Sequence, residues 1–188
     1  MAEIKILKEG YSIKENGKVK ADCSITLIKS KKNIIVDTGV LGDAEKIISK
    51  LAKENLTTDK IDFVVHTHGH TDHIANTYIF KNAKIVGFGS INYKDEFEFF
   101  EDNFKIDKDV EVIKTPGHTL EDISVIVKTS DGIVVVAGDC FENENDNKKT
   151  ELAKHWSNDW PIQLKSREKI LKIADYIVPG HGKMFKVK

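Results

Sequence analysis

Apolar and polar positions alternate at the start of the chain. "IKILKEGY" (residues 4–11) has the period of two expected of a half-buried strand. "ADCSITLIKSKKNIIVDTG" (21–39) reads as two further strands joined by the polar turn "SKKN", the second ending at Asp37, Thr38 and Gly39. The period then changes. "DAEKIISKLAKENL" opens on Asp43, a fitting N-cap, and carries Ile47, Ile48 and Leu51 at helical spacing. "IDFVVHT" is a short continuous apolar run, the pattern of a strand buried on both faces, and "AKIVGF" predicts another. "YKDEFEFFEDNF" is acidic and aromatic, and its pattern fits a helix or a flap. "VEVIKTPGHT" is a strand running into a Pro-Gly turn, and "DISVIVKTSDGIVVVAGD" a hairpin turning at Ser130-Asp131-Gly132. A polar loop "NENDNKK" precedes the helical "KSREKILKIAD", with Ile170, Leu171, Ile173 and Ala174 inward. "YIVPGHG" is a last buried strand.

Two half-chains echo one another. "IIVDTG" resembles "VVVAGD", and "FVVHTHGH" and "YIVPGHG" both run from a buried strand into a histidine turn. Strands arrive in runs with helices between and after them, which predicts an α/β fold of face-to-face sheets with helices outside. The 188 residues suit a single domain, 1–188, and no segment rich in Pro, Gly or Ser divides them.

Composition narrows the function classes. A formal net charge of −1, with 31% charged residues, gives no global field for nucleic acid or membrane. No apolar run approaches the ~20 residues that span a bilayer, and the N-terminus has no apolar signal-peptide core. Two cysteines, Cys23 and Cys140, form no disulfide framework, so the expected setting is reducing and cytoplasmic. Cys140 reads as a small buried apolar residue.

The chemistry lies at strand ends. "HTHGHTDH" (66–73) holds four of the chain's seven histidines. In an extended segment alternate side chains point the same way, so His66 and His68 are expected to converge on one ion. His118 completes a three-nitrogen site. Asp72, His73 and His181 form a second, and Asp139 is placed to bridge the two metals, ~3.5–4 Å apart. Imidazole with few carboxylates suits two zinc ions best, and iron or manganese also fit. A metal-bridging hydroxide would then be the nucleophile, with Asp72 as the catalytic group that holds or receives a proton. Asp37 and Thr119 are expected to brace the ligands from behind. His70 reads as a filler in the loop or a group behind the ligands, and His155 as ordinary surface. Trp156 and Trp160, with Lys165 and Arg167, would form a substrate rim if they face the site, whereas buried anchors and a solvated helix face are the commoner roles.

These residues carry a resemblance. "HTHGHTDH" matches the H-x-H-x-D-H signature of the metallo-β-lactamase superfamily, with His118, Asp139 and His181 following in the family's order. The resemblance covers Asp37 to Gly182 and implies a four-layer αβ/βα sandwich, a metal site at one edge between the sheets and a metal-dependent hydrolase. "THGHTDHIAN", "TPGHTLEDISVIV", "VVVAGDCFE" and "ADYIVPGHGKMF" resemble in particular the metallo-β-lactamase domain-containing protein 1 group. Its animal member is associated with cleavage of histone precursor RNA, which makes an endoribonuclease acting on single-stranded RNA the first expectation. The alternatives are a small-molecule ester, thioester or lactone hydrolase akin to glyoxalase II, a β-lactamase-like amidase, and a persulfide dioxygenase with one iron. Common zinc β-lactamases have cysteine where Asp139 stands. Glyoxalase II adds a C-terminal helical domain, whereas this sequence runs only seven residues past His181. The expected partner is a small molecule or single-stranded RNA, without membrane; a homodimer is left open.

Overall fold

The computed structural model describes residues 1–101, 103–146 and 150–187. Fifteen strands and four α-helices follow one another along these residues. The first sheet holds β1 (Glu3–Lys8), β4 (Ile25–Lys29), β5 (Asn33–Val36), β6 (Phe63–Val65), β7 (Lys84–Gly87), β8 (Ser90–Tyr93) and β9 (Glu96–Phe99), in the order β1-β4-β5-β6-β7-β8-β9. The second runs β10 (Phe104–Lys105), β11 (Val110–Lys114), β12 (Ile123–Thr129), β13 (Gly132–Gly138), β14 (Tyr176–Pro179) and β15 (Phe185–Lys186) in sequence order. A separate hairpin pairs β2 (Tyr11–Glu15) with β3 (Lys18–Asp22). The helices are α1 (Ala44–Lys53), α2 (Thr71–Ile74), α3 (Glu151–Trp156) and α4 (Trp160–Ile173).

The apolar runs sort side chains to both faces of each sheet. On β5, Ile34 and Val36 point into the layer between the sheets, while Ile35 joins Ile47 and Leu51 of α1 on the outer face. On β13, Val134 and Val136 face the central layer, and Val135 and Ala137 pack with Ile170 of α4. Strands covered on both faces read as continuous hydrophobic stretches for this reason. Three apolar layers between four structural ones make the αβ/βα sandwich that the resemblance implies.

The half-chain echo is topological. The antiparallel pair β4–β5 continues through α1 to β6, which lies parallel to β5; β12–β13 continues through α3 and α4 to β14, parallel to β13. Each half therefore ends two parallel strands at the same edge. Asp37 follows β5, the histidine loop follows β6, Asp139 follows β13 and His181 follows β14.

Two expectations need correction. The acidic aromatic stretch is not a helix: most of it forms the antiparallel pair β8–β9, and β9 is exposed at every position. Alternation of Glu96, Phe97, Glu98 and Phe99 carries the strand period. Residue 102 and the last three positions of "NENDNKK" lie outside the described residues. The hairpin β2–β3 was not anticipated, although Asn16-Gly17 sits between its strands with φ of 50° and 75°, the signature of a primed two-residue turn.

Candidate metal centre

The loop after β6 does not stay extended. β6 stops at Val65, the chain bends through Thr67 and His68, and α2 begins at Thr71. Alternation fails at this bend, so His66 and His68 part company. His66 Nε2 lies 2.7 Å from Thr77 Oγ1 and, among the described residues, joins no group of converging donors. His70, expected to be a filler, takes its place: His68, His70, His118 and Asp139 bring one donor atom each within 4.8 Å of one another. Asp72, His73 and His181 form a second such group, and Asp139 Oδ1 lies 3.3 Å from His73 Nε2. The signature therefore falls on His68, His70, Asp72 and His73.

Asp139 is central. Its Oδ2 stands 3.2 Å from His181 Nε2, 3.4 Å from His118 Nε2 and 3.8 Å from His68 Nε2. The expectation that it faces both groups of ligands agrees with these distances. Donors ~2.0–2.1 Å from a tetrahedral metal lie about 3.3 Å apart, so the spacing fits a metal. So does the hydrogen bonding. His68 Nε2, His73 Nε2 and Asp139 Oδ1 are all buried without a hydrogen bond among the described residues, an expensive arrangement unless a cation satisfies them. Three imidazoles with Asp139 on one side, and two imidazoles with two carboxylates on the other, are a donor set suited to zinc.

The backbone fixes these positions. Asp37 adopts a left-handed conformation with φ of 59°, a region Asp tolerates better than most residues. Its carboxylate accepts from Thr67 N–H and Thr67 Oγ1, both at 2.8 Å, and its Oδ2 lies 2.8 Å from His73 Nδ1. Asp37 thus braces His73 as expected. Thr119 braces no donor directly: its N–H and hydroxyl both bond Asp122, closing the turn after His118. His181 Nδ1 lies 3.0 Å from Asp22 O at the end of β3. Gly180 is obligatory, because a Cβ there would overlap Asp139 Oδ1. Gly138 has φ of 52°, and an added Cβ would stand 2.6 Å from Thr67 Oγ1.

Burial and Asp139 set the protonation states. Burial holds His68 well below the usual histidine range and lowers His118. Burial opposes charge on His73 and His181 as well, but Asp139 outweighs it; His73 is pushed well up and His181 to about 9. Burial alone would raise Asp139, yet His181, His73 and His68 together hold it well below the carboxylate range. Burial, with Asp139 adding to it, pushes Glu142 up to about 8. Asp122 is pushed to about 7 by burial, against the bonds from Thr119.

The expected rim is only partly present. Arg167 is buried: it donates to Cys140 O at 2.8 Å, to Asp146 Oδ2 at 2.7 Å and to Asp146 O at 2.8 Å, and it lies 4.1 Å over the Phe141 ring. It cannot serve a substrate. Trp160 is half-buried beneath the same guanidinium. Lys165 is exposed on α4. Trp156 is exposed and, with Ile13, Val19, Leu152 and His155, walls a cleft of about 540 Å³ between the β2–β3 hairpin and α3. The cleft includes no residue of the centre, but the elements that wall it run on to the centre. Asn158, two residues past α3, donates to His118 O at 3.1 Å, and β3 ends at the Asp22 that meets His181. A cleft of about 650 Å³ between β1 and α1 includes no residue of the centre.

Sequence reasoning missed His70, Glu142 and the His155 wall. His70 was legible in the signature's own spacing. Glu142 had no signal beyond its position three residues after Asp139. His155 needed the hairpin opposite.

Comparison with known proteins agrees with this geometry. Residues 20–92 match the family model described as the metallo-beta-lactamase superfamily. "Metallo-beta-lactamase domain-containing protein 1" of Xenopus laevis is 35% identical over 98% of this chain and 81% of its own length. A Methanocaldococcus jannaschii protein named "probable metallo-hydrolase" is 40% identical over 98% of this chain and 90% of its own. Among solved structures, a Bacillus thuringiensis AiiA mutant with N-decanoyl-L-homoserine bound superposes with a TM-score of 0.70 at 16% identity, covering 96% of this chain and 92% of that one. The dizinc lactonase AidC gives 0.65 at 19% identity, covering 88% and 74%. At these identities the likeness is one of fold. With the sandwich, the ordered donor set and relatives matched over nearly the whole sequence, the chain belongs to the metallo-β-lactamase superfamily.

Proposed function

We propose that the protein is a dinuclear, zinc-dependent hydrolase that cleaves a small ester, thioester or lactone carrying an apolar arm. The convergence of His68, His70, His118 and Asp139 with Asp72, His73 and His181 carries the hydrolase reading. His68, His70 and His118 would hold one ion, Asp72, His73 and His181 the other, and Asp139 would serve both. Zinc bound there supplies Lewis acidity toward a carbonyl and lowers the pKa of water toward ~7.

The chain's own residues do the rest. Asp139 is buried and neutralises the centre; Asp72, with 22% of its side chain exposed, is the acid within reach of solvent. Its Oδ2 lies 3.7 Å from His181 Nε2. It is placed to hold the proton of the attacking water and pass it to the leaving group. The apolar cleft between α3 and the β2–β3 hairpin supports this substrate class. Its Trp156 and Ile13 walls suit an acyl or aromatic arm, with the reacting carbonyl over the histidines. Solved structures of lactonases share the fold, and the AiiA mutant holds an acyl homoserine at its active site, which supports this reading. The endoribonuclease expectation loses a phosphate contact with the burial of Arg167.

The test is a substrate panel on zinc-loaded protein: p-nitrophenyl esters of increasing acyl length, acyl lactones, and end-labelled single-stranded RNA, with Asp139→Asn beside each. Turnover of esters or lactones should rise with acyl length and fall in Trp156→Ala, and Asp139→Asn should be inert. RNA cutting that weakens steeply with salt, without ester turnover, would replace the substrate assignment with a nuclease. Full activity of Asp139→Asn would remove the mechanism itself.

A further inference from the structure

Glu142 belongs to none of the roles above, yet it is 2% exposed and lies among the donors. Its Oε1 has no hydrogen-bond partner, and neither does His118 Nδ1. These two orphaned atoms stand 3.8 Å apart, a small adjustment from an N–H···O bond. His118 Nε2 meanwhile faces the other way, 3.4 Å from Asp139 Oδ2 and 3.2 Å from His70 Nδ1. One nitrogen points at the metal donors and the other at a buried carboxyl group.

The segment carrying Glu142 is held from several sides. Glu142 N–H donates to Asp146 Oδ2 at 2.9 Å, and Glu142 O accepts from His181 N–H at 2.7 Å. Arg167 pins Asp146, and Gln163 Nε2 donates to Asp139 O at 3.1 Å. Two buried side chains of α4 thus anchor the turn that presents both Asp139 and Glu142. An oxygen that accepts from the far nitrogen of a ligating histidine fixes its tautomer and ring orientation and strengthens it as a donor.

Resting on the metallo-hydrolase reading, we propose that Glu142 is the positioning residue of His118: it accepts the Nδ1–H, so that Nε2 presents its lone pair to the metal shared with His68 and His70. Glu142 also offers a donor within 4.8 Å of those of Asp139 and His181, but its place is behind His118 rather than on the metal. An amide at 142 keeps an accepting oxygen and should preserve the function; a side chain without an acceptor should not.

Zinc affinity, measured by competition with a chromophoric chelator, decides this across wild type, Glu142→Gln and Glu142→Ala. Nitrogen-edited NMR of the zinc-loaded proteins reads the His118 Nδ1–H, assigned by its disappearance in His118→Asn. Glu142→Ala is expected to bind zinc about 10–100-fold more weakly and to lose the protected Nδ1–H signal. Glu142→Gln should retain both. Unchanged affinity in Glu142→Ala overturns the proposal, and so does an equal loss in both variants, which would make the carboxylate a direct ligand. If Glu142→Ala does not fold, wild type and Glu142→Gln still decide, because a zinc-loaded wild type without a protected His118 Nδ1–H sinks the idea. A wild type that takes up no zinc overturns the hydrolase reading and this inference together. Zinc uptake by wild type with an indifferent Glu142 overturns only the inference.

Discussion

At the scale of single residues, the bend after Val65 decides which histidines matter. His66 spends its Nε2 on Thr77, whereas His70 joins His68 and His118. His66→Ala should therefore keep full zinc stoichiometry and lose only about 0.5–1.5 kcal/mol of stability, since Thr77 Oγ1 keeps its bond to Ile74 O. His70→Ala should lose at least about 100-fold in zinc affinity, beyond the range that an outer partner costs. Metal content after dialysis and a denaturant titration separate the two. The cysteines make the opposite case, of residues whose chemistry burial suppresses. Cys23 and Cys140 have no exposed surface, and burial pushes both thiols upward. Neither should react with a chromogenic disulfide reagent in the folded protein, and both should react in guanidinium. A fast-reacting thiol under native conditions would contradict their placement. Asp37 was legible because it ends an apolar strand; His70 was misjudged because strand alternation was extended past the strand.

At the scale of elements, β1 is tied to the start of α1 by charge. Lys8 bonds both Asp22 and Asp43, and Asp43 also accepts from Lys46 at 2.9 Å. Burial opposes ionisation of Asp43, but its bonds to Lys8 and Lys46 outweigh it, leaving the carboxyl below its usual range. The sign follows. A folded-state pKa below the unfolded one gives stability that is fully present above the unfolded value of about 3.8 and disappears as pH falls through the folded value. Asp43→Asn should cost about 2 kcal/mol at neutral pH, less than the ~3–5 kcal/mol of a fully buried pair because Lys8 keeps some exposure. It should also flatten the acid limb of a pH–stability curve; parallel curves for variant and parent would rule the tie out. Strand and helix positions were readable here because each core strand alternates between two apolar layers and α1 carries a clear stripe. β9 misled because Phe and Glu together fit either period, and nothing local in "DEFEFFED" says that β8 lies beside it.

At the scale of the whole molecule, the two half-chains deliver their parallel strand ends to one edge, and the centre is a product of that meeting. Its order was legible, since six of the seven donors follow from strand-end position and residue type. Its surroundings were not: the Arg167–Asp146 pair, the Glu142 turn and the apolar cleft depend on contacts between α4, α3 and the β2–β3 hairpin. Before a metal arrives, His181 is protonated at neutral pH because its pKa stands at about 9. Zinc must displace that proton, so affinity should rise about tenfold per pH unit for each proton released, up to about pH 9. Calorimetry at pH 7 in two buffers of different ionisation enthalpy should show net proton release; identical heats would contradict it. The spacing of the donors has a consequence for assembly as well. His68, His70, Asp72 and His73 lie within six positions, while His118, Asp139 and His181 are spread over the second half. An unfolded chain therefore already contains a short chelating peptide, to which a divalent metal such as zinc is expected to bind before any sheet exists. Refolding with zinc present should be slower, and give less correctly metallated protein, than refolding in a chelator with zinc added last.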